Sequence, residues 1–186
     1  MNLSQDRSSS SATGIKLAEE LDQLSKTVPP LNLKTVLVPT DFSENSKKAL
    51  IYAVRLAQRN DSSLILFHAL ELPEFVQLRP PDISGRFNEA EMKLFDDAVR
   101  RCEDSLVRLS RDLGASNVKI ETLQRVGKPY EEIIKIARER GVDLIIVGTH
   151  GYTGLKHFLL GSTTERVVRV SPCPVLVVRK EEQDFV

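Results

Sequence analysis

The sequence has no excess of charge of either sign. Its 26 Lys and Arg residues are matched by 26 Asp and Glu residues, so the formal net charge at pH 7 is 0. A chain without net charge creates no overall field that attracts nucleic acid or an anionic membrane. We therefore expect neither as a partner, and favour a small ligand or another protein.

Cysteines and long apolar runs are also scarce. The chain has 2 Cys, Cys102 and Cys173, which form no CxxC pair. We expect both to be reduced core thiols. No uncharged apolar run approaches the roughly 18 residues of a membrane span, and the N-terminus lacks the apolar stretch of a signal peptide. Together these features predict a cytoplasmic protein that does not bind membranes.

Several common site motifs are missing. The 3 histidines are scattered along the chain, so no metal site is predicted. Neither the Walker pattern GxxxxGK[ST] nor the dinucleotide pattern GxGxxG occurs. A nucleotide site in this chain would therefore need a different phosphate-binding loop.

Residues 1–30 differ in composition from the rest of the chain. The Ser-rich stretch SQDRSSSSATG cannot bury enough apolar surface to offset the entropy cost of ordering, so we expect residues 1–13 to be disordered. Leu17, Leu21 and Leu24 follow at helical spacing and predict a short amphipathic helix that ends before the proline pair. The segment is thus a polar, partly disordered N-terminal extension, whose helix is either loosely docked or partner-binding.

Residues 31–186 predict a single domain built from alternating strands and helices. Apolar runs rich in Val, Ile and Leu, typical of a parallel sheet buried on both faces, alternate with longer segments of helical period. The predicted strands are 35–40, 63–70, 119–126, 143–149 and 174–179. This order predicts an α/β fold with an open, doubly wound, five-stranded, mainly parallel sheet and helices on both faces.

One loop of this fold has the residues of an anion site. Gly148 follows the fourth predicted strand, Gly151 and Gly161 lie beyond it, and Ser162 opens the last helix. Ligands of such sheets bind beyond the carboxyl ends of the strands, and free amides at a helix start attract anions. Glycines admit close backbone approach and positive φ angles, and the hydroxyls of Ser162 and Thr164 add donors. The segment therefore predicts a phosphate cradle.

Three stretches of the chain together resemble a known family. VLVPTDFSENSKKAL opens the similarity, GxxGxxxxxxxxxGS lies within it and SPCPVLVVR closes it, so that it covers residues 33–179. In these stretches the chain resembles the universal stress proteins, specifically their ATP-binding branch. The resemblance implies a stress-response module that binds ATP, with ADP or AMP as alternatives, and Mg²⁺ held mainly by the phosphates.

The resemblance also implies which residues contact the nucleotide. Asp41 would bind the ribose, the main chain of Ala69 would meet adenine, and Gly148 would lie against the ribose. The last helix and the loop before it would surround the phosphates. The implied binding residues are Pro39, Thr40, Asp41, Ala69, Val147, Gly148, His150, Gly151, Gly161, Ser162, Thr163 and Thr164.

Several of these residues have a second interpretation. Asp41 either contacts the ligand or only caps the turn before the first helix of the domain, with Ser43 as the N-cap. His150 is interpreted as a backbone phosphate contact and not as an acid or base, because no second His or carboxylate accompanies it in the loop. Lys156 either reaches a γ-phosphate or is solvated, and His68 is interpreted as structural.

Two functions are compatible with the sequence. The first is a regulatory module that binds ATP and hydrolyses it slowly or not at all, with no catalytic residue. The second is an adenine-nucleotide enzyme, either an ATP hydrolase or an adenylating enzyme. HIGH-type and KMSKS-type signatures, a carboxylate pair beside the loop and a large second domain are all missing, so we favour the first.

The last predicted strand also indicates how the molecule assembles. PVLVVR is apolar at nearly every position, and an unpaired strand of this kind at a sheet edge promotes aggregation. The family resemblance implies that the same strand of a second subunit covers it, which predicts a homodimer with Val175 and Val177 in the interface.

Overall fold

The computed structural model describes residues 7–27, 32–71, 89–113, 117–149 and 160–179. The chain divides into two compact units, Met1–Asn32 and Leu33–Val186. The elements in chain order are α1 (Arg7–Thr27), β1 (Thr35–Pro39), α2 (Glu44–Asn60), β2 (Ser63–Leu70), α3 (Glu89–Asp112), β3 (Ile120–Val126), α4 (Pro129–Glu139), β4 (Leu144–Gly148), α5 (Ser162–Val170) and β5 (Val175–Val178).

The described part of the first unit is the helix α1. It begins at Arg7, so residues 7–13, for which the sequence predicts disorder, lie within this helix, while residues 1–6 lie outside the described residues. Once the leucine-bearing turns have formed, each further residue adds a hydrogen bond, and a serine costs at most about 0.7 kcal/mol relative to alanine. The side chains of Leu17, Leu21 and Leu24 are exposed.

The second unit contains one five-stranded sheet in the order β3-β2-β1-β4-β5. Every strand pair is parallel, which confirms the predicted α/β class and makes the sheet wholly, not mainly, parallel. Because β2 and β4 pair with opposite sides of β1, the winding reverses between β1 and β4. The carboxyl ends of these two strands therefore flank the crevice where ligands of such sheets bind.

Two apolar layers hold the helices against this sheet. Val36 and Val38 face α2 and the C-terminal half of α3, where Leu106 is buried, whereas Leu37 between them faces α4 and α5. The side chains of Val36, Leu37 and Val38 are all fully buried. A strand buried on both faces explains the continuous apolar run in the sequence.

Local signals in the sequence mark the ends of α2 and α4. The Ser43 side chain caps α2 by accepting the Ser46 amide, and Pro129 occupies the first turn of α4. Gly141 follows α4 with a φ of 57°, a left-handed conformation that glycine adopts without steric cost. No helix in the described ranges is long and apolar enough to cross a bilayer.

Candidate functional site

A cavity of about 330 Å³ opens at the carboxyl ends of β1 and β4, a size within the range of small-molecule sites. We call it the β1–β4 cavity. Every predicted binding residue within the described ranges lines it, namely Pro39, Thr40, Asp41, Ala69, Val147, Gly148, Gly161, Ser162, Thr163 and Thr164. His150, Gly151 and Lys156 lie outside the described residues.

The start of α5 provides donors at this cavity. Gly161 is the N-cap, and the Glu165 amide donates to its carbonyl over 2.9 Å. The amides of Ser162, Thr163 and Thr164 precede this bond and have no acceptor within the helix. Three amides and the positive end of the helix dipole therefore lie at the cavity, an arrangement that attracts an anion.

Thr164 forms a hydrogen bond within the protein. Its side chain is buried, and its hydroxyl donates to the Gly148 carbonyl over 2.8 Å. The single hydroxyl proton is therefore engaged within the protein. The bond ties the first turn of α5 to the end of β4, and Ser162 keeps the exposed hydroxyl.

The described cradle glycines do not use positive φ angles, which corrects that expectation. Gly161 has φ −56° and ψ 147°, a conformation open to any residue. A Cβ on Gly148 would lie 3.0 Å from the backbone carbonyl carbon and oxygen of Asn45. Gly148 thus lacks a side chain because β4 ends against the first turn of α2.

The carboxylate of Asp41 stabilises the turn between β1 and α2. Its Oδ1 accepts the Ser43 amide over 3.0 Å. Burial raises the pKa of Asp41, but hydrogen bonds from Ser43 and Ser46 outweigh burial and hold the pKa below its usual value. Asp41 both caps the turn and lines the cavity. An ionised carboxylate has about four acceptor sites, so the two interpretations of Asp41, turn cap and ligand contact, are compatible.

Sequence analysis did not assign several other cavity residues to the site. These are Ser46, Phe67, His68, Glu71, Pro129 and Ile133. His68 is hydrogen-bonded through Nδ1 to the Thr40 carbonyl over 2.8 Å, as the structural interpretation requires, yet it also lines the cavity. Phe67 and His68 lie near the end of β2 and Glu71 follows it, so the carboxyl-end rule provided a signal for them. No such signal marks Pro129 and Ile133, because only the folded chain brings α4 to the cavity.

The charged side chains among the described cavity residues are all carboxylates. Among the described lining residues Asp41 and Glu71 carry carboxylates, and no Lys or Arg is present. Backbone amides at α5 are therefore the described groups that would stabilise an anion there. In the same described ranges, no three His, Cys, Asp or Glu side chains group closely enough to hold a metal ion.

Comparison with known proteins identifies the family. The model of the "Universal stress protein family" matches residues 32–179 of the chain. The chain belongs to the universal stress protein family. Universal stress protein MJ0577 of Methanocaldococcus jannaschii is 34% identical to it over 155 residues, which cover 80% of this chain and 96% of the relative.

Solved structures of the family have the same fold. The structure of MJ0577 matches this universal stress protein with a TM-score of 0.69 at 34% identity, over 82% of this chain and 99% of the other. A universal stress protein in complex with cAMP matches with a TM-score of 0.59 at 25% identity, over 80% of this chain and 98% of the other.

Proposed function

We propose that this universal stress protein is a cytoplasmic regulatory module of the ATP-binding branch, which binds ATP in the β1–β4 cavity. The observation that carries the proposal is the start of α5, whose unbonded amides from Ser162 to Thr164 lie at a cavity beside the winding reversal of the sheet. The free thiols of Cys102 and Cys173 agree with a reducing compartment.

The lining residues suggest how the nucleotide would lie. The phosphates would meet the first turn of α5, and the ribose would lie near Asp41. Adenine would fit between the main chain at Pro39 and Thr40 and that at Ala69, and Val147 and Gly148 would form the floor. A family member in complex with cAMP supports this choice, because cAMP combines adenine, ribose and phosphate.

Positive charge for the phosphates would come partly from Mg²⁺ bound to the nucleotide. No basic side chain is among the described cavity residues, so amides and the helix dipole are the protein's contribution there. ADP and AMP contain the same base and ribose but fewer phosphate oxygens, and so should bind more weakly than ATP.

Mass spectrometry of nucleotide released from protein purified without added ligand tests the proposal directly. We expect an adenine nucleotide in the released fraction, and calorimetry should rank ATP above ADP and AMP. If the purified protein carries no nucleotide and calorimetry detects no binding of any adenine nucleotide, the proposed function is wrong.

Hydrolysis separates the proposed module from the enzyme alternative. We propose slow or no turnover, without a catalytic residue. Purified protein should be incubated with ATP and Mg²⁺ while phosphate and pyrophosphate are followed. Multiple turnovers per minute would favour an ATP hydrolase or an adenylating enzyme over the regulatory module.

We also propose a homodimer formed through β5, with neither nucleic acid nor membrane as a partner. In the described part of the chain β5 is paired on one side only, with β4. Its Leu176 side chain is 37% exposed, and Val175 and Val177 are half-buried. A second copy of β5 would pair with the open edge and cover these side chains.

A further inference from the structure

His68 connects β2 to the turn that carries Asp41. Its Nδ1 lies 2.8 Å from the Thr40 carbonyl oxygen. A carbonyl oxygen only accepts, so Nδ1 carries the proton and donates to it. The His68 ring also lies against the Phe42 ring, with the centroids 4.7 Å apart and the planes tilted by 37°. One side chain therefore contacts the turn on both sides of Asp41.

The backbone of this turn is strained. Phe42 has a φ of 64°, and a bulky side chain rarely adopts this left-handed conformation. Short local hydrogen bonds close the turn, from the Phe42 amide to Thr40 Oγ1 and from the Ser43 amide to Asp41 Oδ1, each over 3.0 Å. A strained conformation persists only where its surroundings hold it, and His68 provides side-chain contacts from a neighbouring strand.

We propose that His68 is a positioning residue of the nucleotide site. Its hydrogen bond to Thr40 holds the turn in the strained conformation that places Asp41 at the β1–β4 cavity, and thereby sets the preference for a ribonucleotide over a 2′-deoxyribonucleotide. The proposal rests on the proposed function. Hydrogen bonds to a ribose hydroxyl weaken steeply with distance and angle, so a small shift of the carboxylate is enough to lose the preference.

Three substitutions separate the hydrogen bond from the ring contact. His68→Phe keeps a ring beside Phe42 and removes the donor. His68→Asn is the matched control, because its amide nitrogen is as many bonds from Cα as Nδ1 and preserves the donor. His68→Gln places its amide nitrogen one bond further from Cα and so moves the donor away from the position of Nδ1. It replaces the Phe variant in these measurements if that variant does not fold.

Calorimetry with ATP and 2′-deoxy-ATP measures the effect. We expect His68→Phe to bind ATP about tenfold more weakly, which corresponds to about 1.4 kcal/mol, with the preference for ATP over the deoxy analogue falling towards one. His68→Asn should stay within about threefold of wild type. An unchanged preference in His68→Phe, or equal losses in the Phe and Asn variants, would overturn the proposal.

A double variant tests whether His68 acts through Asp41. In the Asp41→Ala background the Phe substitution should have no further effect on ATP affinity, because no carboxylate remains to be positioned. If the substitution lowers affinity there by the same factor as in wild type, His68 contributes to binding directly and the positioning role is wrong.

Amide hydrogen exchange in the nucleotide-free protein tests the same contact without a ligand. Exchange at Ser43, whose amide bonds to Asp41, should accelerate in His68→Phe and stay slow in His68→Asn. If wild type binds no nucleotide, the proposed function fails while this measurement still decides whether His68 holds the turn. Equal exchange rates in all forms would show that it does not.

Discussion

At the scale of single residues, Gly161 is the position where an added side chain would affect ligand binding most selectively. Its φ of −56° and ψ of 147° suit a β-branched residue, so Gly161→Val should fold normally. The new methyl groups would lie where phosphates approach the amides of α5, and we expect no measurable ATP binding by calorimetry. Ser162→Ala is the control, because it removes one exposed hydroxyl but keeps the amides and should bind only slightly more weakly. Unchanged affinity in a folded Gly161→Val protein would remove the phosphate cradle from the proposal.

Asp41 is the residue on which ribose binding is proposed to depend. Asp41→Ala should lose about 1 to 3 kcal/mol of ATP binding, the range for hydrogen bonds to charged groups, and should lose the preference for ATP over 2′-deoxy-ATP. Because Asp41 also accepts the Ser43 amide, alanine removes the cap of the turn as well. Asp41→Asn retains an acceptor for that amide and separates the two effects. An equal preference for ATP in wild type and both variants would place the ribose elsewhere.

At the scale of elements, the bond from Thr164 to Gly148 joins α5 to β4. Thr164→Val keeps the shape of the side chain but leaves the buried Gly148 carbonyl without this donor, which should cost about 1 to 3 kcal/mol of the free energy of unfolding. Thr163→Val makes the same chemical change one residue away, at a half-buried site, and should cost less. Urea denaturation of both variants measures the difference. Equal losses would mean that the bond contributes little to the docking of α5.

The ends of the helices and strands show which sequence signals were sufficient to predict secondary structure. Apolar runs predicted the ends of all five described strands to within one residue, because strands buried on both faces contain few polar side chains. The helix α5 begins at Ser162 as predicted, since a glycine precedes it, and it ends at Val170, directly before SPCP. The start of α1 at Arg7 was not predicted, because its first turns consist mainly of serines, which are weak helix formers. Such residues can extend a helix that the leucine-bearing turns have started.

The candidate site was predictable where its residues adjoin a strand end or the glycine-marked start of α5, and not elsewhere. Gly148 ends β4, and Asp41 lies just beyond the end of β1 at Pro39, so the carboxyl-end rule pointed to both. Ile133 lies on a helix between two strands, and only its packing under the sheet brings it to the cavity. The hydrogen bond from Thr164 to Gly148 could not be predicted from the sequence either, because it depends on how closely α5 approaches β4.

At the scale of the whole molecule, the two sheet edges differ in chemistry. On β3, Glu121 and Arg125 form ion pairs with Arg140 and Glu139 at the end of α4, and charged side chains of this kind discourage pairing with another strand. The strand β5 has no charged residue between Val175 and Val178. The proposed dimer therefore uses the edge that lacks this protection.

Light scattering tests the proposed dimer. Wild type at micromolar concentration should have the mass of a dimer, and charged replacements at both Val175 and Val177 should split it or precipitate the protein. Since Val175 also packs against the core, Leu176→Lys is the cleaner change and should give a monomer. Val126→Lys on β3 is the matched control at the opposite edge and should remain dimeric. A clean monomer mass for wild type would exclude assembly through β5.

The central position of β1 has a consequence for how the protein is made on the ribosome. The strand pairs with β4 more than a hundred residues later in the chain, and the Asp143 carboxylate accepts the amides of Lys34 and Thr35, each over 2.8 Å. A nascent chain can pair β1 with β2 early, but the crevice beside β1 gains its second wall only after β4 and α5 have been synthesised. Until then the Asp41 turn faces an unfinished sheet, so nucleotide can assist only the last stage of folding and not the first.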